Sequence, residues 1–117
     1  MAGMIDREYA ARAAQEDLDR TYAGRIVVAG VEAHELVWIV FYRSAPDPRT
    51  GLPGPRLGGN GPYLVDRLDG GLHRVSPTSY VSGLWEADYR RRVRKLPAPE
   101  PVEELHPSLT VHTVRPT

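Results

Sequence analysis

The chain has 117 residues, enough for one domain with one core, and 41% of them are hydrophobic, including Trp38, Trp85 and six tyrosines. Equal numbers of basic and acidic residues give a formal net charge of +0, which argues against a dedicated nucleic-acid binder and against attraction to an anionic membrane. The absence of cysteine excludes disulfides, thiolate nucleophiles and cysteine-based zinc sites, and it fits a reducing compartment.

The first residues run directly into a charged helical pattern, without the apolar stretch of a secretory leader. The longest apolar run, Leu36 to Tyr42, is too short to span a bilayer. A cytoplasmic protein is therefore expected. Asp6 is placed to cap a helix over residues 6–22, with Ile5 stapling onto Ala10. Tyr9, Ala13, Ala14, Leu18 and Tyr22 recur at three- and four-residue steps as its apolar stripe. Glu8, Arg12, Glu16, Asp19 and Arg20 fall on the other side, and Gly24 is a stop signal.

Two β-branched, apolar segments follow, over 25–31 and 35–43, and their short polar link predicts an antiparallel hairpin. In the second, Leu36, Trp38 and Val40 alternate with Val37, Ile39 and Phe41, so both faces are apolar, the mark of a central strand covered on both sides. Residues 44–57 hold four prolines and read as a long surface loop. A strand over 63–67, the turn Leu68-Asp69-Gly70-Gly71 and a strand over 72–76 form a second hairpin. Ser79 or Ser82 is placed to cap a second helix reaching about Lys95, with Trp85, Tyr89, Val93 and Leu96 as its stripe and Glu86–Arg90 and Asp88–Arg92 as ion pairs. The expected fold is α+β: an N-terminal helix, a four-stranded antiparallel sheet built from two hairpins, and a C-terminal helix, with both helices against one face. Residues 1–96 form the domain and 97–117 a proline-rich tail, in which only 109–114 can pair as an edge strand.

Several residues invite sharper readings. Gly58-Gly59-Asn60-Gly61 lacks the Lys-Ser/Thr and the following helix that a phosphate loop needs, so it reads as a turn. Asp66 and Asp69 offer too few oxygens for calcium. His34, His73, His106 and His112 are too scattered for zinc, and His73 reads as a packed strand residue or a partner contact. The cluster Arg90-Arg91-Arg92-Val93-Arg94-Lys95 has two readings: solvated cations complementing a helix C-terminus, or a grip on an acidic partner. Trp85 and Tyr89 likewise suit either the core or an interface.

From Leu57 to Leu96, a Gly-Asn-Gly-Pro-Tyr entry to a strand, an Asp-Gly-Gly turn and a strand carrying His73 occur together. They are flanked by Glu35-Leu-Val-Trp-Ile-Val40 and Trp85-Glu-Ala-Asp-Tyr-Arg90. This pattern, covering roughly residues 5–96, resembles the YrhB-like family, also called immunity protein 35, of bacterial polymorphic toxin systems. The resemblance implies a small α+β protein that neutralises a cognate toxin by direct binding, without catalytic residues or cofactor, and steric occlusion is the expected mode. A nucleic-acid deaminase, a nuclease and a peptidase all remain open as that toxin. The alternative the resemblance carries is a heat-stable chaperone or holdase of the YrhB type. The expected partner is thus a toxin protein, not nucleic acid or membrane, and the free chain is expected as a monomer or weak dimer. Loops on a rigid sheet vary side chains at little cost in stability. Asp47, Arg49 and Leu52 of the proline-rich loop are therefore the first candidate contacts, with Arg90, Arg91 and Arg94 as a second set that steers association.

Overall fold

The apolar run becomes a strand, β2 (Val37–Ser44), whose two faces carry separate cores. The computed structural model describes residues 4–54, 61–97 and 105–114. Around β2 lie β1 (Ile26–Ala33), β3 (Tyr63–Asp66), β4 (Leu72–Arg74) and a two-residue β5 (His112–Thr113). They form one antiparallel sheet in the order β1-β2-β3-β4-β5, with a bulge in β1 between Val28 and Gly30. The sheet thus has five strands rather than the expected four, because the returning C-terminal segment pairs with β4. The Asp-Gly hairpin forms where expected, with Gly70 at φ +75°, a conformation that side chains other than glycine rarely adopt.

Helix α1 (Arg7–Tyr22) starts where the sequence places it, the Asp6 carboxylate accepting from the Tyr9 N–H. It stops one residue before Gly24, at Ala23, itself left-handed at φ 53°. Its inward stripe is Ala10, Ala14, Asp17 and Leu18, while Tyr9 is exposed. These side chains cover Ile26, Val40, Tyr63 and Val65 on one face of the sheet. The second helix is broken. Ser76, not Ser79 or Ser82, caps α2 (Pro77–Ser82), with Pro77 in the first turn where its missing N–H costs nothing. Gly83 at φ +80° separates it from α3 (Leu84–Asp88), which runs into a π-helical turn over Tyr89–Val93. This C-terminal helical stretch packs Trp85 and Tyr89 against Leu36, Val37, Ile39, Leu64 and Val75 on the opposite face. The helices therefore sandwich the sheet and do not share a face. Two apolar faces on β2 require two covers.

Residues 105–114 complete the second core. Val111 is buried there, and its backbone is held by side chains: its N–H donates to Asp88 Oδ2 at 2.7 Å and its carbonyl accepts from Arg92 at 2.6 Å. Ser79, itself buried, donates to the Leu109 carbonyl at 2.6 Å. The i,i+4 pair Asp88–Arg92 is bidentate, at 2.6 and 2.7 Å, and the Glu86–Arg90 pair is looser at 3.7 Å.

Asp66, 1% exposed, ties these parts together. One carboxylate oxygen accepts from the Leu68 N–H at 2.8 Å in the hairpin turn. The other accepts from the Tyr89 hydroxyl and, at 2.7 Å, from Arg94 Nε. Arg94 in turn donates to the Leu36 carbonyl at 2.9 Å. Burial pushes the Asp66 carboxyl up, but Arg94, Tyr89 and the Leu68 N–H outweigh it and hold the group below the usual carboxylate range.

Three outcomes follow. Trp85→Ala should cost about 3–5 kcal/mol in urea unfolding, the usual loss for a buried aromatic, because Trp85 lies in the core between His34 and Tyr89. Arg94→Met should cost about 3 kcal/mol by leaving the Asp66 charge buried and uncompensated. Adding Asp66→Asn should recover part of that loss, and additive costs in the double-mutant cycle would show that the pair is not coupled. The third outcome concerns pH. Burial pushes the His73 imidazole below its ordinary value, with Asp66 and Asp69 opposing and Arg92 assisting, so the folded protein favours neutral His73. That contribution is complete above the unfolded value of about 6.5 and is lost as pH falls through the lower folded value. The urea midpoint should fall on acidification from pH 7, and His73→Gln should flatten that first decline. The depressed carboxyls of Asp66 and Asp88 give a second decline, below their unfolded value of about 4.

Candidate partner-binding site

The proline-rich loop leaves β2 at Ser44 and folds back on itself. Asp47 organises it: its N–H donates to the Leu52 carbonyl at 2.9 Å, its carbonyl accepts from Gly51 at 2.8 Å, and its Oδ1 accepts from the Arg49 N–H at 2.8 Å. Gly54 then returns so close to Ser44 and Ala45 that a Cβ there would lie 2.7 Å from the Ala45 carbonyl. The Asp47 side chain is thus spent on the turn. Arg49 and Leu52 are exposed, Leu52 at 63%, on a turn braced by Asp47. Residues 55–60 of this connection, including Asn60 and the two glycines before it, lie outside the described residues, as do 98–104 of the tail.

The arginine-rich segment is less free than its sequence suggests. Arg94 is committed to Asp66, Arg92 to Asp88, and Arg90 to Glu35 at 2.5 Å and to Glu86. Of Arg90, Arg91 and Arg94, only Arg91 is exposed without an ion pair among the described residues. The exposed cations of this segment that carry no ion pair among the described residues are Arg91 and Lys95.

The histidines do not converge. His34 accepts from the Leu36 N–H through Nδ1 at 3.0 Å, so its Nε2 carries the proton given to Glu86 at 2.7 Å. His73 is buried in β4 with its ring edge-on to Tyr89, His106 caps the short 3₁₀ turn Pro107–Leu109, and His112 is exposed in β5. Among the described residues, no three His, Asp or Glu side chains group to hold a metal ion, and no helix is long and apolar enough to cross a membrane. Asp66 and Asp69 are occupied by the hairpin, Asp69 accepting from the Gly71 N–H at 2.7 Å.

One feature was invisible to sequence reading. Beside the loop, Phe41, Tyr42, Gly61, Pro62, Pro77, Tyr80 and Val81 line an open, mainly apolar groove of about 230 Å³, with Val81 at its lip 83% exposed. Its walls come from three separate segments, and only an exposed valine on a helix next to Pro77 hints at it locally. The arrangement places the braced loop after β2 near a groove that Phe41 and Tyr42 of β2 help to line.

No curated protein and no solved structure matches the chain. A family model described as immunity protein 35 matches residues 8–92, and it does not carry the YrhB-like name. That span runs from the first turn of α1 through all four strands of the two hairpins to the π turn, and on this match the chain belongs to the immunity protein 35 family.

Proposed function

We propose that this chain is a cytoplasmic immunity protein that binds a cognate bacterial toxin and neutralises it by steric occlusion. Family membership over residues 8–92 carries the reading. The polar chemistry supports binding over catalysis: Asp66, Asp88, Arg92 and Arg94 are used to hold the fold together. The holdase alternative has no observation in its favour. Within this reading, the contact surface is the end of the sheet where the 45–54 loop presents Arg49 and Leu52 beside the groove, with Asp47 as the internal brace of the loop. Arg91 supplies long-range attraction that salt screens, while Arg90 and Arg94 act through the scaffold that positions it.

The test begins with the neighbouring gene: a large toxin-bearing reading frame is expected there, and its C-terminal domain should co-purify with this chain, after which the loop is replaced with a Gly-Ser link. The shortened protein should melt within a few degrees of the parent and bind the toxin domain at least tenfold more weakly. Unchanged affinity would move the interface off the loop, and failure of the intact chain to bind or protect would remove the immunity reading.

A further inference from the structure

Arg74 is a half-buried cation that pairs with no carboxylate among the described residues. It stands on β4, on the sheet face that α1 partly covers, with its guanidinium carbon 5.3 Å from the centre of the Tyr63 ring. The Tyr42 and Tyr22 side chains also interact with it. The protons of its tyrosine neighbours are aimed elsewhere: Tyr42 donates to the Gly61 carbonyl at 2.7 Å, and Tyr63 donates to Asp17. This collar gives Arg74 lone pairs and a ring face but no countercharge. Among the described residues no carboxylate lies within ion-pair distance of it. The contrast with Arg90, Arg92 and Arg94, each matched to a carboxylate, is internal to the molecule. Partial burial strips water from a guanidinium, and neutral acceptors return only part of that solvation.

The sheet extends beyond the main contacts of α1 here. Helix α1 packs over β1, β2 and β3, and beyond β3 the same face presents Leu72 and Arg74, both half-buried. Val114 lies beside Leu72, its N–H donating to the Leu72 carbonyl at 2.8 Å, and the exposed His112 is the register partner of Arg74. An apolar strip of Leu72 and Val114 therefore leads to Arg74, a half-buried cation whose described partners are all neutral. One guanidinium is too little for a polyanion, which is gripped by several cations at once, but its planar fork matches one carboxylate in a bidentate pair.

We propose that Arg74 and its tyrosine collar form a carboxylate receptor on the open β4–β5 half of the sheet, where the partner protein seats an aspartate or glutamate side chain. This rests on the immunity reading and adds to it a second, charge-reading contact. The test uses the full chain and the toxin domain encoded beside it, with affinity measured by calorimetry at two salt concentrations. Arg74→Gln should bind at least tenfold more weakly and with a shallower salt dependence, while its melting temperature stays within a few degrees. Arg74→Lys, which keeps the charge but loses the fork, should fall between the two. Alanine scanning of the toxin's acidic residues should find one whose loss matches that of Arg74→Gln and is not additive with it, and this scan against the wild-type chain decides the matter even if Arg74→Gln fails to fold. Equal binding by wild type and Arg74→Gln, or the absence of any such acidic residue, would overturn the receptor and leave the immunity reading standing. Displacement of the toxin by short single-stranded RNA through Arg74 would overturn it in favour of a phosphate site. A wild-type chain that does not bind the toxin at all would end both proposals together.

Discussion

The buried carboxylate of Asp66 is the point at which the central sheet, the β3–β4 turn and the C-terminal helical stretch are made to agree. A charge that deep is tolerated only when cations and donors converge on it, and here the convergence spans Leu68, Tyr89 and Arg94. Arg94 extends the link to the Leu36 carbonyl at the start of β2. The position of one helix end over the sheet is thereby fixed by polar groups, while the apolar contacts of Trp85 and Tyr89 supply area without fixing register. The π turn belongs to the same constraint. Tyr89 and Arg94 are five residues apart, a spacing that a regular α-helix would place on different sides. The wider turn, closed by the Arg94 N–H on the Tyr89 carbonyl at 3.0 Å, lets both reach one carboxylate.

That inward use of charge changes what the surface can do. A chain with balanced charge and an arginine-rich helix end looks, in sequence, like a protein with a basic handle. In the folded molecule most of that handle is neutralised at home. On the function proposed above, recognition shifts to apolar shape, to the braced 45–54 turn and to cations that have no ion pair among the described residues. Surface ion pairs such as Arg90–Glu35 add little to stability, but they prevent those arginines from acting at long range. Specificity built this way depends on a few well-placed groups more than on net field.

Much of the fold was legible because local signals agreed. Asp6 capped its helix, Asp69-Gly70 made its hairpin, and alternation along β2 announced a strand apolar on both faces. That last signal also contradicted the expectation of both helices on one face, and the structure followed the alternation. The break at Gly83 was legible in principle, since Ser76-Pro77 is a strong helix start and Gly83 a natural stop seven residues later. Other features were not legible at all. Asp17 on the buried side of α1 looks like a surface acid until Tyr63, distant in sequence, is brought over it. Nothing near Arg74 in sequence marks it out either, because its place against the Tyr63 ring is a property of the assembled sheet. The groove beside Val81 has the same origin: its walls are contributed by segments that do not know of each other in sequence.

The family match ends at residue 92, yet two side chains at its end, Asp88 and Arg92, hold a segment beyond it. They do so by binding the N–H and carbonyl of Val111, the two groups a neighbouring strand would bind. Such a grip reads backbone and asks of the segment only one apolar side chain, Val111, to fill the core. The residues that follow, His112 and Thr113, are exposed, yet their side chains are also used within the fold: the Thr113 hydroxyl lies 3.1 Å from His73 Nδ1, and His112 Nε2 lies 2.9 Å from the Pro107 carbonyl. Their register on β4 sets His112 opposite Arg74. The segment is thus held three ways, by its main chain, by Val111 in the core and by side-chain hydrogen bonds, so its place on the sheet does not rest on a two-residue ladder alone.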